Sequence, residues 1–218
     1  MSKQVLLVMS GLLHPPLLGR QAFEANLSGM EGYTFRRISS LEALPGVFAG
    51  DDAGDIAAIV LYYHHKHISD AALEALDQFV SGGGGLLAAH SATASFKDCP
   101  HYFEILGGRF VTHGPVETFM IQPETGTPSE QEPFSGIGPF KIRDELYLHE
   151  IQPGIQVHFF THYRGEKVPA VWTYRYGQGR VCYAVPGHTA SSMEHPAVRE
   201  IFRQGLGWVC GKRDGVDG

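Results

Sequence analysis

Twelve histidines in 218 residues are the feature of this sequence that bears most directly on chemistry. Imidazole changes charge near neutral pH, so it can take and return protons, and its neutral form binds metals. Six of the twelve share a position. His64 and His67 follow the apolar run that ends at Tyr63, His90 follows the run ending at Ala89, and His188 follows Val185 across a Pro186-Gly187 turn. His14 comes after the first apolar run, and His113 closes a short strand-like piece. In an open α/β sheet, ligands bind outside the carboxyl ends of the parallel strands, so residues far apart in sequence are placed on one sheet edge. A single histidine after a strand is more often an ordinary loop residue; the shared position carries the argument. His64, His90 and His188 are expected to line one pocket. His101, His158, His162 and His195 read as surface or structural, with His195-Pro196 as a helix entry.

The stretch GGGGLLAAHSATASF, residues 82–96, holds the second chemical signal. An apolar strand that ends in a polar pair among small residues resembles a nucleophile elbow, Gly-x-Ser-x-Gly. Read as Ala89-His90-Ser91-Ala92-Thr93, it places Ser91 in the nucleophile slot with Ala and Thr where glycines are preferred. Ser91 is therefore expected to support the site or cap the next turn, and not to attack substrate. His90 has no such routine role.

The elements that must position these residues read as an alternating α/β chain. Val5–Met9 is strand-like, a helix is expected near 17–28, and Tyr33–Arg37 alternates like a strand. Asp55–Tyr63 is nearly continuous in apolar residues, as in a parallel strand covered on both faces. Ser69 caps a helix whose Leu73, Leu76 and Val80 recur at helical spacing. Leu86–Ala89 then completes a right-handed βαβ unit. Two short strand pieces are expected within 109–121, then an exposed loop over 122–140. Strands at Gln156–His162, Ala170–Arg175 and Arg180–Val185 follow, the last two joined by a tight YGQG turn, and a helix at Ala197–Val209 closes the chain. The expected fold class is a doubly wound, mostly parallel α/β sheet in one domain, residues 1–211, with a loose tail over 212–218.

Composition narrows the partners. Hydrophobic residues make up 43%, enough for a substantial core. The formal charge is −6 with no basic stripe, which argues against nucleic acid and against an anionic membrane. The amino-terminal run is too short to span a bilayer and lacks a signal-peptide cleavage site. Cys99, Cys182 and Cys210 show no CxxC spacing and read as reduced thiols of a cytoplasmic protein.

Together with YFEILGGRFVTH, DELY, PAVWTYRYGQGRVCYAVPGH and GLGWV, the glycine-rich stretch closely resembles the trehalose-utilisation, or ThuA-like, family over roughly residues 4 to 209. The resemblance implies a flavodoxin-like fold related to the class I glutamine amidotransferases. It carries over to His90 and Ser91, Glu145 and Tyr147, Gly187 and His188, and a His-x-x-His that His64 and His67 match. Glutaminase activity is not implied: the elbow has no cysteine, and no acid stands two residues after His188. The family implies intracellular sugar catabolism, on a disaccharide, a glycoside or a keto-sugar derivative.

The leading expectation is an isomerase, epimerase or lyase in which His90 and His188 act as acid and base, with Glu145 orienting one imidazole or serving as a second acid. His14, His64, His67, Ser91, His113 and Tyr147 are assigned to substrate binding; Tyr62, Tyr63 and Trp172 could add aromatic faces but, like most such aromatics, read more simply as core residues. A divalent metal such as zinc, held by His64 and His67 with His90, His188 or Glu145, ranks below metal-free catalysis, because a loop His-x-x-His has no fixed face. A metal-dependent hydrolase and a non-catalytic sugar-binding or regulatory protein are the alternatives. A Ser91–His188 hydrolase would need an acid and oxyanion donors that the sequence does not show. The expected partner is a small sugar, and a homo-oligomer is compatible with the sequence.

Overall fold

The computed structural model describes residues 2–11, 16–51, 53–124 and 133–211. Strand β1 (Lys3–Val8), helix α1 (Leu17–Leu27), β2 (Tyr33–Ile38), the short α2 (Leu44–Phe48) and β3 (Ile56–Leu61) open the chain. Helix α3 (Asp70–Ser81), β4 (Gly85–Ala89), a 3-10 turn over His90–Ala94 and α4 (Pro100–Leu106) follow. Four antiparallel strands come next, β5 (Gly108–Pro123), β6 (Phe140–Ile151), β7 (Gln156–Tyr163) and β8 (Glu166–Tyr176). The last elements are β9 (Gly179–Ala184), the short α5 (Ala190–Met193) and α6 (Pro196–Val209).

The nine strands of the described residues join one sheet in the order β2-β1-β3-β4-β9-β8-β7-β5-β6. From β2 to β9 the pairings are parallel; from β9 to β6 they are antiparallel. In the parallel half, alternate residues of each strand feed two separate cores. Leu6, Ile59, Leu61 and Leu86 pack with Leu76 and Val80 of α3 and Tyr102 of α4. Val5, Leu7, Val60 and Leu87 pack on the other face with Phe23 of α1 and Ile201 and Phe202 of α6. A strand buried on both faces must be apolar throughout, which is why these segments are legible without alternation. Ser69 caps α3 as expected, its hydroxyl accepting from the Ala72 amide at 3.2 Å.

Leu86–Ala89 is a central strand, parallel to β3 on one side and to β9 on the other. The antiparallel half departs from expectation. The two short pieces of 109–121 are one strand of 16 residues, with register shifts at Phe110/Thr112 and His113/Val116. Its partner β6 starts at Phe140, the last residue of the expected loop, runs through residues for which no strand is expected, and buries Asp144 and Glu145. Residues 125–132 of the expected loop, the tail and His14 lie outside the described residues. No described helix is long and apolar enough to cross a membrane.

Candidate active site

The site begins with a register. β4 and β9 are parallel neighbours, with Ala89 opposite Ala184. One residue further, His90 Nδ1 lies 2.9 Å from the Val185 carbonyl. A carbonyl can only accept, so Nδ1 carries a proton, and in the neutral ring the lone pair stands on Nε2. His90 is fully buried. Its ring is enclosed by Tyr147, His188 and the Val185 carbonyl, with Gly187 against its Cβ.

The elbow is real but lies one residue earlier than its sequence suggests. His90, not Ser91, has the left-handed backbone, φ 42°. With His90 at the centre, the small residues two positions away are Ala88 and Ala92, where an elbow wants glycine or another small residue. Ser91 neither occupies the strained slot nor caps the turn; its hydroxyl is buried and makes no hydrogen bond among the described residues.

After β9 the chain turns back through Gly187, which packs against His90. At φ 151°, and with a Cβ placed 2.9 Å from His90 Cβ and 2.7 Å from Met193 Cε, only glycine fits there. Tyr62 donates its hydroxyl to the Gly187 carbonyl. Asp144 accepts the Gly187 amide at 2.7 Å, the His188 amide at 3.0 Å and the Glu145 amide at 2.8 Å. Burial pushes the Asp144 carboxyl above the ordinary range, and the three amides pull it back part of the way. One buried carboxylate thus fixes where His188 emerges.

Glu145, next on β6, is the centre of the cluster. Its Oε2 lies 3.2 Å from His188 Nδ1 and 3.8 Å from His90 Nε2, and its Oε1 lies 3.0 Å from His113 Nδ1. Side-chain exposure rises from 0% at His90 through 11% at Glu145 and 20% at His188 to 47% at His113, so the cluster opens to solvent through the last two. The acid that His188 lacks in its own loop therefore comes from a distant strand. His90, Glu145 and His188 each offer a ligand atom, all within 4.8 Å of one another, so the set is also a candidate divalent-metal site. Tyr147 covers His90, ring centroids 4.0 Å apart, and Phe110 backs Tyr147 at 4.5 Å. Burial and the carboxylates Glu145 and Asp144 raise the Tyr147 phenol, which stays protonated as a donor.

His64 and His67 do not join this cluster. They line a cavity of about 370 Å³ with His65, Lys66, Phe96 and Lys97, whose walls include neither His90 nor His188. The loop leaves β3 pinned by Phe96, whose amide donates to the His65 carbonyl at 2.9 Å, and by His65 stacked on Tyr63. Lys97 lies over Phe110, 5.1 Å from its centroid, so the cavity borders the aromatic wall of the cluster. Tyr62, Tyr63 and Trp172 are fully buried and present no face to a ligand. His195 caps α6 by accepting from the Ala197 amide at 3.2 Å.

Sequence reasoning passed over Asp144, Thr93, Tyr183 and His149. Asp144 had one signal, a carboxylate directly before Glu145 in the DELY motif. The other three are separated by 34 to 90 residues and meet only through strand order.

The family profile described as trehalose utilisation matches residues 4–209. No curated protein matches the sequence. Among solved structures, a ThuA-like protein from Parabacteroides merdae superposes with TM-score 0.81 at 15% identity, covering 96% of this chain and 90% of that one. One from Bacteroides uniformis gives 0.78 at 15% identity, over 98% and 93%. A cytoplasmic protein of Salmonella typhimurium gives 0.66 at 13% identity, over 94% and 99%. At such identities the structural likeness speaks for the flavodoxin-like α/β fold alone, whereas the profile match spans nearly the whole sequence: the chain belongs to the trehalose-utilisation (ThuA) family.

Proposed function

We propose that this protein is a sugar-catabolic enzyme that moves protons on a disaccharide, a glycoside or a keto-sugar derivative, using His90, His188 and Glu145. Membership of the family implies a role in sugar metabolism. The observation that carries the enzymatic reading is the meeting of two imidazoles and a carboxylate within 4.8 Å at one sheet edge. Binding a neutral sugar does not call for several titrating groups so close together.

On a keto-sugar, His90 Nε2 takes the proton from the carbon beside the carbonyl. The electron pair of the broken C–H bond moves to the carbonyl oxygen, which receives a proton from His188. Glu145 balances the positive charge that forms on His90 and holds His188 in place. Return of the proton to the former carbonyl carbon, with the neighbouring hydroxyl giving its proton to His188, yields an isomer; return to the original carbon from the opposite face yields an epimer. Tyr147 and His113 contact the reacting ring, and the His64–His67 cavity takes the second ring or the aglycone.

A second reading is favoured by the same geometry. A histidine that ligates a metal usually donates its other nitrogen to a carbonyl, as His90 does to Val185. In that reading His90, His188 and Glu145 hold a divalent ion such as zinc, which would polarise the sugar carbonyl or activate water.

The test is incubation of the purified protein with keto-disaccharides and their parent sugars in deuterated water, with metal content measured on the same sample. Deuterium incorporation beside the carbonyl, lost in His90→Gln and insensitive to chelator, supports the metal-free enzyme. Loss of activity on chelation and recovery with zinc supports the metal enzyme. Saturable sugar binding without any exchange or turnover would replace both with a binding protein.

A further inference from the structure

The proposed chemistry uses the His90 side chain and leaves unexplained the polar group buried behind its backbone. A residue with a Cβ at φ 42° is strained and must be held. The His90 carbonyl accepts two hydroxyls, Tyr183 Oη at 2.8 Å and Thr93 Oγ1 at 3.2 Å. These hydroxyls are 3.0 Å apart, and both face His149 Nε2, which lies 3.0 Å from Thr93 Oγ1 and 3.2 Å from Tyr183 Oη. Thr93 and Tyr183 are fully buried. The His149 ring is boxed edge-on by Trp172 at 5.1 Å and Tyr183 at 5.2 Å, so it cannot swing away without repacking both.

We infer that His149 is a positioning residue for the His90 elbow: its Nε2–H is donated to the Thr93 and Tyr183 oxygens, so that both hydroxyl protons are committed to the His90 carbonyl. The inference rests on the reading of His90 as the acting imidazole. A proton count supports it. Each hydroxyl has one proton to give. Were Nε2 the acceptor, one of those protons would turn from the His90 carbonyl to the ring. The ring proton would then sit on Nδ1, which is buried and makes no hydrogen bond among the described residues. A buried N–H without an acceptor is rarer in proteins than an acceptor with a spare lone pair. The neutral ring that this arrangement needs is also the one burial favours, with the pKa pushed down to about 3. Held this way, His90 keeps Nδ1 on Val185 and aims Nε2 at Glu145.

Two measurements on the full chain test the inference. Nitrogen-15 NMR of histidine-labelled wild type should find His149 neutral with its proton on Nε2 at pH 7; a proton on Nδ1 overturns the inference. The His90 ring signals should shift in Thr93→Val and return in Thr93→Ser. On a turned-over sugar, Thr93→Val and His149→Leu should lower kcat about ten- to a hundredfold with little change in KM, since they misplace a group and remove no substrate contact. His149→Gln, which keeps a donor near the same place, should recover part of the loss. Unchanged His90 signals and unchanged kcat in Thr93→Val overturn the inference. If wild type turns over no sugar, the enzymatic reading fails, and the NMR arm still decides the role of His149.

Discussion

The two halves of the sheet contribute to one site by different rules. The parallel half, β2 to β9, ends each strand at the same edge, so its contributions are fixed by where apolar runs stop. His90 and His188 come from there. The antiparallel half, β8 to β6, supplies Glu145, Asp144, Tyr147, His149 and His113 from the middle of long strands, and these face the edge only because β5 and β6 pair along most of their length. In the proposed reading, the parallel half holds the proton carriers, and the antiparallel half holds the groups that orient and charge-balance them. A site built this way can keep its backbone while its electrostatics change on the other half.

The most severe way to break this division is to remove a carrier or its counter-charge. Turnover on a responsive sugar is expected to fall roughly 10²–10⁴-fold in His90→Gln, in His188→Gln and in Glu145→Gln, the usual contribution of a positioned acid or base. If Glu145→Gln alone retained wild-type rates, the antiparallel half would be scaffold only. Because the three act as a unit, the double variant His90→Gln/Glu145→Gln should lose much less than the sum of the two single losses.

Next in size is Asp144→Asn, which sharpens the comparison by attacking position and not charge transfer. Three backbone amides converge on two carboxylate oxygens, and an amide side chain would turn one of these acceptors into a donor. The cost expected in urea unfolding is about 1–3 kcal/mol, the penalty of leaving a buried donor unsatisfied. A variant as stable as wild type, with normal turnover, would show that the His188 turn is held by Gly187 and Tyr62 without it.

How much of this was legible depends on which half is considered. Asp55–Tyr63 and Leu86–Ala89 announce themselves as doubly covered strands, and Ser69 announces its helix, because those features are local. The meeting of His90 with His188 follows from the adjacency of β4 and β9, which a run of apolar residues suggests but does not order. Glu145 was visible only through the DELY resemblance, and its burial was not, since β6 continues through residues without clean alternation. The elbow register was misread because pattern matching looked for a serine, whereas the backbone strain falls on the residue with alanines two positions to either side.

A smaller effect separates His149 from its neighbours by pH. Its folded pKa, about 3, lies below the unfolded value near 6.5, so the unfolded chain binds the extra proton first. The stability it contributes is complete above about pH 6.5 and is lost as pH falls from there toward 3, at up to about 1.4 kcal/mol per pH unit. Asp144, with its pKa raised, acts in the opposite sense: its contribution is present below the unfolded carboxylate pKa and is lost as pH rises through the folded one. Asp144 is common to wild type and His149→Gln, so the difference between their unfolding free energies isolates the histidine. That difference should shrink on acidification from pH 7 to pH 4; a constant difference would mean that His149 titrates alike in both states.

The smallest expected effect is at Ser91, and it tells most about what the elbow has become. In a working serine elbow the hydroxyl is exposed, strained and hydrogen-bonded to a base. Here the strain is at His90, and the Ser91 hydroxyl is buried without a hydrogen-bond partner among the described residues. A buried hydroxyl that makes no hydrogen bond carries a desolvation cost, so Ser91→Ala removes a liability and opens a void of only one oxygen. Stability should change by less than about 1 kcal/mol, in either direction, and turnover should stay within a few-fold of wild type. No acyl or glycosyl adduct should form on Ser91, which mass spectrometry after a substrate quench would detect. Loss of activity comparable to that of His90→Gln would return the nucleophile to Ser91, with His188 and Glu145 as its base and acid, and would make the parallel half the reacting half outright.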